Sequence, residues 1–200
     1  MNTPSKEECF RLIHRMDMMD HIIDHSIMVS NVALCLCRFL GEKFPQINIK
    51  GIRSAALLHD ITKTRSFTTG EVHSETGGLL LSKMGYPEIG DIIRQHVMLD
   101  ACIPDTPVSE HEIVNYADKR VLHDQVVSLE KRLEYIKVRY GSNPEFKDRI
   151  QLMWTKTVAL EQKLFKHLAF EPAQLSDLVL PVIKKKSKKR STNFKQKCHS

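Results

Sequence analysis

The apolar run Ala55-Ala56-Leu57-Leu58 ends on a histidine and an aspartate, His59-Asp60. This junction constrains the fold more than any other feature. It sets a carboxylate at the end of a buried element, where a charge needs a partner or a metal ion. A second pair, His123-Asp124, lies in a charged stretch with Lys119, Arg120 and Glu130 and reads as the solvated surface of a helix. Around the first pair, His25 lies upstream, and His73, His96 and Asp118 follow at spacings of about a helix and a loop. Imidazole suits zinc, iron, nickel and copper, and carboxylate suits harder ions such as manganese. A metal that activates water would make the chain a hydrolase, so function turns on whether these six residues converge.

The chain of 200 residues suits one domain with a sizeable core. Its apolar runs stay well short of the roughly 18 residues of a membrane span, so no transmembrane segment is expected. The opening Met1-Asn2-Thr3-Pro4-Ser5-Lys6 leads into a charged helical pattern without the apolar stretch of a secretory signal. The five cysteines (Cys9, Cys35, Cys37, Cys102, Cys198) are odd in number and scattered. They read as free thiols of a cytoplasmic protein.

The formal net charge of +6 is carried by the end of the chain. Lys184 to Ser200 hold eight Lys and Arg and no Asp or Glu, which leaves 22 basic against 24 acidic residues in the body. This tail, 184–200, follows Pro181, has almost no apolar content and reads as disordered. Charge alone would let it touch RNA or an anionic surface. The body, 1–183, is mildly acidic and offers no broad attraction for polyanions.

Apolar residues recur at helical spacing throughout the body, so the expected fold is all-α. Ser5-Lys6-Glu7-Glu8 fits a capping box at the start of a short helix. A second helix spans about 20–42, with Ile22, Val29, Ala33, Leu36 and Leu40 inward and His25 on the same face. A third runs from about Asn48 to His59, and a turn covers Thr62 to Thr69. A helix containing His73 ends at Gly85, and Pro87 opens another that carries His96. After a loop from Asp100 to Pro107, one long helix from Ser109 to about Tyr140 carries Asp118. Gly141 to Pro144 breaks it, and a last helix covers about 145–168 with Ile150, Trp154, Val158 and Leu164 on its buried side.

Taken together, His25-Ser26, Leu57-Leu58-His59-Asp60-Ile61-Thr62-Lys63, His73 before Gly77-Gly78, Gln95-His96 and Tyr116-Ala117-Asp118-Lys119 resemble the HDIG-type branch of the HD-domain superfamily of metal-dependent phosphohydrolases. The resemblance covers about 20–140, with C-terminal helices to about 180 as an extension of the HD-type bundle. One departure is Thr62, where the family signature usually has glycine.

The resemblance implies that His25, His59, Asp60 and Asp118 hold a divalent metal ion: iron, manganese, zinc, nickel or cobalt. It implies that His73 and His96 hold a second ion, with Asp60 bridging. The implied chemistry is attack of metal-activated water on a phosphate ester or anhydride of a nucleotide or related small molecule. Cationic side chains should then stand near the phosphoryl oxygens. Lys63, also the candidate catalytic cation, comes first. Arg65, Arg94, Lys119 and Arg120 are further candidates for binding substrate. Asp60 or Glu75 would take the proton of the water. Two other readings share these features: a metal-containing nucleotide sensor without turnover, and an RNA-associated protein tethered through its tail. Oligomeric state is not encoded in any of them.

Overall fold

The computed structural model describes residues 1–101, 103–141 and 144–179; the basic tail, Cys102 and Cys198 lie outside them. The described residues form an all-α bundle with one small hairpin. Helix α1 (Lys6–Arg15) is capped by Ser5, whose Oγ accepts from the Glu8 amide. Only half of the expected capping box forms, because Glu8 turns away to accept from the Tyr86 hydroxyl. That bond ties α1 to Tyr86, far along the chain.

Helix α2 (Asp20–Leu40) runs through the middle and is buried on most sides. By length and composition it is apolar enough to cross a membrane, with mean hydropathy 1.4, yet 61% of that window is buried inside the bundle. A core helix meets the same criteria, and α2 also buries His25, Ser26 and Asn31. Helix α3 (Ile49–Leu58) starts at Asn48, whose side chain accepts from the Gly51 amide, and delivers His59-Asp60 at its end.

The stretch expected as a turn is a helix, α4 (Lys63–Thr69), closed by Gly70 at φ +70°. Its Ser66 and Thr69 hydroxyls donate to carbonyls within the same helix, which lets a polar sequence stay helical. Helices α5 (His73–Lys83) and α6 (Pro87–Arg94) form a tight hairpin around Gly85, at φ +88°. Gly78 and Gly90 face each other there: a Cβ on Gly78 would come within 2.8 Å of the Gly90 carbonyl oxygen. This close approach requires glycine.

The expected long helix after Ser109 is two helices. Helix α7 (Glu110–Lys119) has a complete Ser109/Glu112 capping box. The chain then makes a two-strand hairpin, β1 (Val121–Leu122) and β2 (Gln125–Val126), before α8 (Leu129–Tyr140). His123 and Asp124 are its exposed two-residue turn, not part of a helix, and His123 takes φ +55°. Arg120 clamps the break. Its carbonyl accepts from the Val127 amide, and its Nε donates to the Val127 carbonyl.

Helix α9 (Pro144–Phe165) buries Ile150, Met153, Thr157, Leu160 and Leu164. Trp154 is only partly buried and Val158 is exposed, so the inward stripe is turned from the expected one toward Met153 and Thr157. The main core draws on α1 to α3, α5 to α7 and the end of α9, while α4 buries none of its residues. A separate small cluster of Ile136, Ile150 and Met153 joins α8 to the start of α9. These two helices overhang the face of the bundle that carries His25, Asp60 and Asp118.

Candidate metal centre

The six His and Asp residues singled out in the sequence come from five places in the fold and meet in one site. His25 is on α2, His59-Asp60 follow α3, His73 opens α5, His96 follows α6 and Asp118 is near the end of α7. His25 Nε2 lies 3.0 Å from Asp118 Oδ1, and His59 Nε2 lies 3.7 Å from the same oxygen. His59 Nε2 is 3.4 Å from Asp60 Oδ2. Asp60 Oδ1 is 3.2 Å from His73 Nε2 and 3.5 Å from His96 Nε2. The last two nitrogens are 3.2 Å apart.

The backbone fixes which nitrogen each ring offers. His59 Nδ1–H donates to the Ala56 carbonyl, His96 Nδ1–H to the Ile93 carbonyl and His25 Nδ1–H to the His123 carbonyl. A carbonyl only accepts, so each Nδ1 carries a proton and Nε2 is the atom each ring turns toward the carboxylates. Those Nε2 atoms face carboxylate oxygens and one another. His59 Nε2 and Asp60 Oδ1 are buried and make no hydrogen bond. Such an arrangement is costly unless a cation sits among the donors.

Two sets of donors lie close enough to share an ion: His25, His59 and Asp118, and His59, Asp60 and His96, each within 4.8 Å. Nitrogen and oxygen donors with Nδ1 held by backbone carbonyls match the chemistry of a borderline divalent metal. The residues present therefore fit such an ion.

The electrostatics agree. Burial disfavours the Asp60 carboxylate, but Lys63 and His59 outweigh it and hold the group well below the usual carboxylate range. Burial likewise opposes ionisation of Asp118, and Lys119, His25 and Arg132 overcome it. Both carboxylates are anionic at neutral pH. Burial pushes His96 down to about 4, so it is a neutral ligand-type imidazole. Burial also opposes charge on His59, yet Asp60 and Asp118 raise it overall, as expected where two anions ask for a cation at Nε2.

Thr62, which stands in place of the signature glycine, has an ordinary backbone (φ −104°) and is fully buried. Its hydroxyl donates to the His73 carbonyl and accepts from Thr76. The threonine thus pins the start of α5, which carries His73, against the dyad.

The site opens into a cavity of about 660 Å³ under α8 and α9. Of the expected cations, Lys63 lies in its wall, with Nζ 2.7 Å from Asp60 Oδ2. Lys119 also reaches the wall, buried and bonded to Asp118 and to the His96 carbonyl. Arg65, Arg94 and Arg120 lie outside it. Arg65 pairs with Glu71 at the surface, and Arg94 pairs there with Asp91 and Asp100. Arg120 is buried between α7 and α9 against Tyr116, Glu161 and the Pro172 carbonyl. These three are structural contacts. Glu75 is exposed and does not line the cavity. Sequence reasoning missed Arg132, Arg139 and Arg149, which line it from α8 and α9. For the α8 arginines the signal was the shared spacing of Arg132, Tyr135, Arg139 and Tyr140, hidden while this stretch was read as the far end of one long helix from Ser109.

The fold and the donor set define a helical domain built around a His/Asp metal centre. The family model for the HD domain matches residues 22–120, so this stretch of the chain is an HD-type domain. HD domains bind divalent metals and are usually metal-dependent hydrolases, so the chain is hydrolase-like at that level. It is 25% identical over 147 residues to an uncharacterized protein of Methanocaldococcus jannaschii, covering 67% of this chain and 86% of that one. It is also similar to a solved structure from an uncultured Thermotogales bacterium described as a "predicted HD superfamily hydrolase". The two share 21% identity over 94% of this chain and 95% of that chain, with a TM-score of 0.43.

Proposed function

We propose that the protein is a metal-dependent phosphohydrolase acting on a phosphate ester or anhydride of a nucleotide or similar small molecule. The observation that carries this reading is the convergence of imidazole Nε2 atoms and carboxylate oxygens, with His59 Nε2 and Asp60 Oδ1 buried and unpaired. When bound, one or two divalent ions supply a water acidic enough to attack near neutral pH and positive charge for phosphoryl oxygens.

The chain's own groups complete the site. Burial lowers the charge preference of the Lys63 ammonium, but Asp60 outweighs it, so the group stays cationic at the cavity wall. From there it can hold a phosphoryl oxygen without leaving Asp60. Arg132 also lines the cavity, with Nη2 3.8 Å from Asp118 Oδ1. Apolar walls from Ile22, Ile136, Ile150 and Met153 limit water around these charges and strengthen them.

The test is metal content of the purified protein by mass spectrometry, with phosphate release from a nucleotide panel on the same sample. Metal with release supports the reading. Metal and saturable nucleotide binding without release would make the protein a sensor. Failure to take up iron, manganese or zinc on reconstitution would remove its basis.

A further inference from the structure

Helix α8 turns an uncommon face to the cavity. Arg132, Tyr135, Arg139 and Tyr140 recur at helical spacing on that face, around the single aliphatic residue Ile136. A helix packed only for stability would place aliphatic side chains there. Its solvent side carries Lys131, Glu134, Lys137 and Val138. From α9, Phe146 and Arg149 line the same cavity at the same spacing.

Arg132 is the inner member. Its side chain is 13% exposed, and its Nε is buried without a hydrogen bond. A guanidinium offers five donors in a planar fork, and an unpaired buried donor is costly. A phosphate oxyanion beside the metal centre would take up that fork. Arg139 lies seven residues further along α8, about 10 Å of helix rise. One phosphate can meet Arg132 but has no second group for that distance, whereas a chain of phosphates has.

We propose that Arg139 and Arg149 form an outer anion subsite, so that the preferred substrate is a nucleoside polyphosphate. Its reacting phosphoryl group lies beside Arg132 and Lys63, its other phosphates run along the arginines, and its base rests against Tyr140 and Phe146. The reaction takes up one water. The water oxygen bonds to phosphorus, the P–O bond to the leaving phosphate breaks with its electron pair staying on that phosphate, and the water's protons pass to the phosphate products and solvent. This inference rests on the phosphohydrolase reading.

The experiment measures kcat/KM of the metal-loaded protein for adenosine mono-, di-, tri- and tetraphosphate. Binding of a methylene-bridged triphosphate analogue is measured alongside by calorimetry. Wild type, Arg139→Ala and Arg149→Ala are compared, with Lys137→Ala on the solvent side of α8 as the control. Wild type should prefer the tri- and tetraphosphate over the monophosphate by at least about tenfold, the worth of one charge-assisted contact. Each arginine variant should lose most of that preference, and Lys137→Ala should keep it. Equal rates on all four nucleotides, or a preference unchanged in both arginine variants, would overturn the subsite while leaving the hydrolase in place. Analogue binding that depends on Arg139, with no turnover of any nucleotide, would support the subsite and sink the hydrolase.

Discussion

His25 and Asp118 are 93 residues apart in sequence, yet His25 Nε2 lies 3.0 Å from Asp118 Oδ1. The other nitrogen of His25 is held by the carbonyl of His123, at the tip of the hairpin between α7 and α8. The end of α7 and the hairpin that follows it therefore hold one imidazole of α2 from both of its nitrogens. The hairpin contributes a backbone oxygen, not the side chain of its histidine.

The metal content of variants tests this division of labour. Asp118→Asn keeps the shape of the carboxyl but removes its charge and should lower bound metal. Asp60→Ala should do so more severely. His123→Gly should retain metal, because the carbonyl remains and glycine suits φ +55°. Loss of metal in His123→Gly with retention in Asp60→Ala would assign the centre to the wrong dyad.

Metal removal should also cost stability. Chelation leaves the buried anions and the unpaired His59 Nε2 facing one another. An ion at about 100 times its Kd adds roughly 2.7 kcal/mol to the folded state. For a domain of this size that is a Tm change on the order of 5–10 °C. Calorimetry with and without chelator reads it, and an unchanged Tm would speak against an occupied centre.

Two cations expected from sequence to play similar roles should separate sharply. Lys63→Ala should lower kcat about 100-fold with metal retained, as for loss of a preorganised charge at the reacting group. Arg120→Met should leave kcat/KM of the folded protein unchanged and cost roughly 3–5 kcal/mol of stability, because it removes the guanidinium that bonds the Val127 and Pro172 carbonyls and pairs with Glu161. Urea unfolding and initial rates on the same preparations make the comparison.

Thr62→Gly restores the usual signature residue and should nevertheless destabilise this chain by about 1–2 kcal/mol. It removes the hydroxyl that links the His73 carbonyl to Thr76 and loosens the backbone at a position with no need of glycine. A shifted urea midpoint with weaker uptake of a second metal equivalent is the expected pattern.

Burial raises the thiols of Cys9 and Cys37, to about 11 and about 12. Between the ordinary thiol pKa and those values, the unfolded chain has lost protons that the folded chain keeps. Stability from these groups is thus full near neutral pH and falls as pH rises from about 9 towards 12. Peptide mapping after alkylation at pH 8 should show both residues protected until denaturant is added. Rapid native labelling of Cys37 would contradict its place in the core.

Local chemistry made much of this protein legible in its sequence. Apolar periodicity located α2, α3, α5 and α6, because the face that must be buried repeats with the helical turn. Gly85 and Pro87 marked a boundary through backbone conformations that other residues resist. The His59-Asp60 dyad announced a site, since a charge at the end of a buried helix needs a partner. Tertiary structure alone decided the rest. The stretch from Val121 to Val127 suits a helix as well as a hairpin, and the hairpin is held by Arg120 closing on Val127 and by His25 bonding the His123 carbonyl. The same long-range packing took Arg120 out of the cavity and brought Arg132, Arg139 and Arg149 into it. Which way a charged side chain points depends on what the rest of the chain places beside it, and spacing along one helix carries no record of that.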